Sequence, residues 1–132
     1  MISRSIYVNL PNGQITQYLA VLGIEQKNIS SYENMDFQIE KNRNNALVST
    51  VTGDFTHAID FEIFDRSLSF IEQAFLNLSQ RGVATAMSDE NDEDPEVFHL
   101  WRDGQKKLVR IVEDDDAGQL HILDPLGDAG LS

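Results

Sequence analysis

Carboxylates dominate the side chains here that are capable of chemistry. The 132-residue sequence carries 22 Asp+Glu against 10 Lys+Arg, a formal net charge of -12. Residues 1–84 hold 9 acids and 6 bases, whereas residues 85–132 hold 13 acids and 4 bases, so most of the imbalance lies in the last third. It concentrates in two runs, Asp89-Glu90-Asn91-Asp92-Glu93-Asp94-Pro95-Glu96 and Glu113-Asp114-Asp115-Asp116. Such a field repels nucleic acid and anionic membranes and attracts basic partners.

Dense carboxylates can also bind calcium or do acid–base work, and each reading makes a demand on spacing. An EF-hand loop alternates acidic ligands and needs glycine at its sixth position. Counting from Asp89, the sixth residue is Asp94, and no flanking helices are expected. The run Glu113–Asp116, followed by Gly118, reads as a solvated hairpin loop. His57, His99 and His121 fall in expected strands, and two of them with a carboxylate would make at best an incomplete metal site. Asp60 and Glu62 share the polar face of one strand, for which solvation is the default. There is no G-x-S-x-G, no phosphate-cradling glycine loop and no H-E-x-x-H. We therefore expect no enzyme, no metal and no cofactor.

Aromatic anchors inside an acidic rim are what an interface for a basic protein would use. Phe98 and Trp101 lie on opposite faces of one expected strand, so one should enter the core while the other stays partly exposed; a sheet covered on both sides would bury both. The expected contact surface is Asp89, Glu90, Asp92, Glu93, Asp94, Glu96, Trp101, Glu113, Asp114, Asp115 and Asp116.

These residues must be held by a fold that the periodicity outlines. Ile6, Val8 and Leu10 alternate with polar neighbours, a strand over about residues 3–10. Ile15, Tyr18, Leu19 and Leu22 form one face of a helix over 13–23, with Asn12 as cap and Gly23 as stop. Three strands follow between Tyr32 and Phe64, around Met35–Ile39, Ala46–Val51 and Ile59–Ile63, separated by turns at Asn42–Asn45 and Gly53-Asp54. Leu68, Ile71, Phe75 and Leu78 mark a helix over 65–81, capped by Asp65 or Ser67 and ended at Gly82. Further strands are expected at 83–87, 97–101, 107–112 and 120–123, with Asp103-Gly104 as a hairpin turn. The expected fold class is α+β, in the order β-α-βββ-α-β-βββ. It is one domain over residues 1–124 with a flexible tail at 125–132, and both helices pack on one face of a mostly antiparallel sheet.

At this length a core can form without staples, and the absence of cysteine removes disulfides, thiolate metal sites and a thiol nucleophile. No apolar run approaches the roughly 20 residues that span a bilayer, and the first residues lack the apolar stretch of a signal peptide, so a cytoplasmic protein is expected. In size, acidity, lack of cysteine and lack of catalytic motif the chain resembles, as a class, the small α+β immunity proteins of bacterial toxin systems. The resemblance carries no residue roles. It implies an acidic inhibitor that occludes the cationic active site of a nuclease toxin, touching neither nucleic acid nor membrane itself. The alternatives are a nucleic-acid mimic that inhibits DNA-binding enzymes, and a small enzyme or ligand-binding domain.

Overall fold

Alternation along Ile59-Asp60-Phe61-Glu62-Ile63 has a direct structural meaning: the three apolar side chains are buried, and the two acids turn to the other face. The computed structural model describes residues 2–11, 14–31, 44–89, 93–114 and 118–123. Their elements are β1 (Ile2–Val8), α1 (Ile15–Val21), β2 (Ile29–Ser31), β3 (Asn45–Thr50), β4 (Thr52–Gly53), β5 (His57–Ile63), α2 (Leu68–Ser79), β6 (Thr85–Ser88), β7 (Val97–Arg102), β8 (Gln105–Glu113) and β9 (Gln119–Leu123). The nine strands form a single sheet in the order β2-β3-β5-β1-β6-β7-β8-β9-β4. Among the described residues, only the outermost pairs, β2 with β3 and β4 with β9, are parallel. The α+β class therefore holds, with a mostly antiparallel sheet.

Both helices pack on one face of this sheet. Tyr18, Leu19 and Leu22 from the α1 segment and Ile71, Ala74 and Phe75 from α2 share a core with Ile6, Val8, Val48, Ile59, Phe61, Met87 and Trp101. The stripes read from the sequence are the buried ones, and Gly23 and Gly82 fall just beyond the two helix ends. Ser67, one of the two expected caps, occupies the N-cap position of α2, whereas Gln14 takes that of α1; neither makes a side-chain capping bond. Asn12 lies outside the described residues, as do the expected strand Met35–Ile39 and the tail 125–132. One buried polar contact joins helix to sheet: the Tyr18 hydroxyl and Thr85 Oγ1 are 2.7 Å apart. Burial pushes the Tyr18 phenol far above its ordinary value, and the bond to Thr85 opposes that only in part.

The other face is covered by the sheet itself. After β3 the chain runs through Val51 into β4, whose two residues pair with Gln119 and Leu120 of β9 at the far edge. One stretch of chain therefore occupies two places in the strand order, and the sheet must curl until they meet. Inside the curl lies a second core of Phe55, Ala84, Ala86, Phe98, Leu100, Val109, Ile111 and Leu120. Phe55, 1% exposed, is carried in by the tip of the β3–β5 hairpin and sits 5.6 Å from the Tyr7 ring. Two bonds from Asp54 lock the tip: its N–H donates to the Leu120 carbonyl, and its carboxylate accepts from the Ile122 N–H, both at 2.7 Å. Gly53 has φ +99°, and a Cβ there would lie 2.2 Å from the Leu120 carbonyl oxygen. No other residue fits that approach. The expected hairpin turn at Asp103-Gly104 is present, with positive φ at both residues (55° and 77°), as a type I′ turn requires.

Two stability outcomes follow from these contacts. Phe55→Ala should cost about 3–5 kcal/mol in urea denaturation, the range for a large buried aromatic. Tyr18→Phe should cost about 1–2 kcal/mol by stranding the Thr85 hydroxyl, and adding Thr85→Val should recover part of that loss; a neutral single mutant would show the bond to be idle.

Candidate acidic binding face

The register of the sheet decides where the acids go. β5 ends, β6 ends, β7 begins and β8 ends at the same end of the sheet. That end carries Glu62, Asp89, Glu93, Asp94, Glu96, Glu113 and Asp114, with Asp60 at the middle of β5. Lys106 and Lys107 open β8, and Arg102 closes β7, at the opposite end. Glu96 and Glu113, 17 residues apart in sequence, are thus brought near one another because β7 and β8 form one hairpin, the Ile111 N–H donating to the Glu96 carbonyl at 2.8 Å.

Several of these carboxylates have structural work. The Asp94 side chain accepts the Glu96 N–H at 2.9 Å, and Arg110 Nη1 pairs with both Asp94 and Glu96, the latter at 3.2 Å. The Glu96 N–H first, and then the Arg110 guanidinium, hold the Asp94 carboxyl below its ordinary value. Asp89 follows β6, and its carboxylate lies 3.6 Å from His99 Nε2. Glu113 ends β8, and Asp114 begins the turn, its N–H donating to the Gln119 carbonyl at 2.7 Å. Glu93 is exposed. Glu90, Asp92, Asp115 and Asp116 lie outside the described residues.

Trp101 is a correction. It is 2% exposed, with Phe75 of α2 at 5.0 Å between ring centroids and the Lys106 ammonium over the ring at 5.2 Å. Phe98, on the opposite face, is 7% exposed. Neither aromatic is available to a partner, because the helices bury one face of β7 and the curl buries the other. The sequence carried that signal: Val97, Phe98, Leu100 and Trp101 make a nearly continuous apolar run, the mark of a strand buried on both sides.

The histidines do not converge either. His99 is opposite Leu108 and His121 opposite Val112, on different strands flanking β8 and offset along it. Among the described residues no group of three His, Asp or Glu could hold a metal ion.

Asp60 and Glu62, expected as a merely solvated strand face, have defined partners. Ser5 is directly opposite Asp60 and Ser3 opposite Glu62 in the β1–β5 pair. The Ser5 hydroxyl donates to Asp60 at 2.7 Å and the Ser3 hydroxyl to Glu62 at 3.3 Å. These residues, with Arg4, Leu47 and Phe61, line an open trough of about 400 Å³. Tyr7, two residues beyond Ser5 on the same face, has its phenol pushed up by burial and then by the charges of Glu113 and Asp60. Asp60 of β5 and Glu113 of β8 thus act on one hydroxyl although three strands separate β5 from β8 in the sheet order. Sheet curvature brings them there. Other concavities have different chemistry: a polar cleft beside His99, Asp89 and Glu72, and an apolar groove between the helices where Phe70 is 62% exposed.

No family model, no curated sequence and no solved structure matches the chain. No described helix is long and apolar enough to cross a membrane.

The Asp94 shift sets a pH dependence. A carboxyl held below its ordinary value near 3.8 contributes stability that is complete above that pH. The contribution is lost as pH falls through the lower, folded value. Urea midpoints measured from pH 5 to pH 2 should fall less steeply for Asp94→Asn than for the wild type; parallel curves would assign the acid sensitivity to other groups.

Proposed function

We propose that this protein is an acidic binding protein that neutralises a basic partner, most concretely an immunity-type inhibitor that occludes the cationic active site of a nuclease toxin. The observation that supports the reading is the collection of the described acids Glu62, Asp89, Glu93, Asp94, Glu96, Glu113 and Asp114 towards one end of a single sheet, with Asp60 beside Glu62 on β5. A nuclease site must be positive to hold phosphates. An inhibitor that plugs it needs carboxylates on a frame that does not reorganise on binding. Asp60 and Glu62 on β5 and Glu113 at the end of β8 have that frame; Asp94 and Glu96 are fixed through Arg110. Concentrated charge of one sign also raises the rate of capture, which matters when the target is lethal. The loss of Trp101 from the contact surface leaves an interface read by charge and hydrogen bonding rather than by an aromatic anchor.

Affinity capture of the tagged protein from its native cell extract, eluted with salt, tests the reading. We expect one basic protein at fixed stoichiometry, whose cleavage of nucleic acid falls as complex forms, with salt slowing association more than it speeds dissociation. Retention of many nucleic-acid-binding proteins, all displaced by DNA, would transfer the reading to a nucleic-acid mimic. Absence of any partner would leave a ligand-binding domain or small enzyme.

A further inference from the structure

The trough on the open face of β1, β3 and β5 has the anatomy of a receptor for one long cationic side chain. Asp60 and Glu62 are two residues apart on β5, so their Cα atoms are separated by about 7 Å and their carboxylates stand on the same side of the sheet. Each is oriented by a serine hydroxyl from the opposing strand, Ser5 at 2.7 Å and Ser3 at 3.3 Å. Leu47 is directly opposite Asp60 on the β3 side and supplies an apolar wall. Arg4, at the margin, donates from Nη1 to the Ser3 carbonyl at 3.0 Å. The concavity of about 400 Å³ gives this site shape as well as charge.

An arginine side chain matches each part: an apolar stem for Leu47, and a planar head whose five donors reach two acceptors in different directions. A lysine ammonium, as a compact point charge, would serve one carboxylate at a time. We propose that the trough receives an arginine of the basic partner, its guanidinium bridging Asp60 and Glu62 and its stem lying on Leu47. This rests on the reading that the chain binds a basic protein, and it moves the centre of recognition from the acidic loops to the sheet face.

Two probes separate the trough from the wider reading. N-acetyl-L-arginine amide, titrated into the isotopically labelled protein, should shift backbone amides at Ser3, Ser5, Leu47, Asp60 and Glu62, while the lysine analogue shifts them less. An octa-arginine peptide, followed by calorimetry at moderate salt, should bind the wild type and lose about tenfold in affinity to D60N/E62Q. The variants E25Q and D103N, which remove charge from exposed acids outside the acidic face, should bind within about twofold of wild type. S3A/S5A keeps both charges and removes their orientation; it should fall between wild type and D60N/E62Q, and it guards against a double variant that fails to fold. Amide shifts spread over the acidic loops, or equal peptide affinity for D60N/E62Q and wild type, would overturn the trough and leave the basic-partner reading standing. Failure of the wild type to bind octa-arginine at all would overturn that reading as well.

Discussion

The contact on which the rest of this structure depends is the meeting of β4 with β9. Two residues of a hairpin tip reach the far edge of the sheet to which their own hairpin belongs. Everything inside the curl follows from that closure. Phe55 enters the second core, Tyr7 comes against Phe55 and Phe98, and the end of β8 is brought towards the β1–β5 pair. A flat sheet with the same pairings would leave Val109, Ile111 and Leu120 in water and would keep Glu113 away from Asp60.

Burial on both faces also explains the placement of charge. With helices on one side and the curl on the other, the middle strands have few solvated positions for an acid. Carboxylates are displaced to loops, strand ends and the open part of the β1–β5 face. Arg110 shows how the structure tempers the result, drawing Asp94 and Glu96 onto one guanidinium where β7 begins. The site is therefore uneven: some acids hold the loop in shape, and others stand ordered against serine hydroxyls.

Much of this could be read from the amino-acid order, and what could not has physical reasons. The alternation in Ile59–Ile63, the stripes Tyr18-Leu19-Leu22 and Ile71-Phe75, and the Asp103-Gly104 turn report local geometry, and local geometry is what periodicity encodes. β2 is three residues long and lacks alternation. Thr52-Gly53 resembles any turn, because its pairing depends on a partner 67 residues away. The trough was hidden for the same reason. Ser3 and Ser5, like Asp60 and Glu62, each form an unremarkable polar alternation, and they become a site only once β1 is known to lie beside β5. Trp101 is buried rather than partly exposed because β7 has no open face: the helices cover one side and the curl the other, and that double cover is a tertiary fact.

The glycine at position 53 has a consequence for the order in which the molecule is made. Its backbone must lie against Leu120, so the bonds that fix the hairpin tip join residues 53–54 to residues 120–122. During synthesis the tip is complete long before its partner strand leaves the ribosome, and until then Phe55 has no closed core to enter. Closure is a late, long-range step with a large loop entropy, which places this fold among the slower ones for its size. The interval between making residue 55 and making residue 120 is the period in which the nascent chain most needs protection from association with its neighbours.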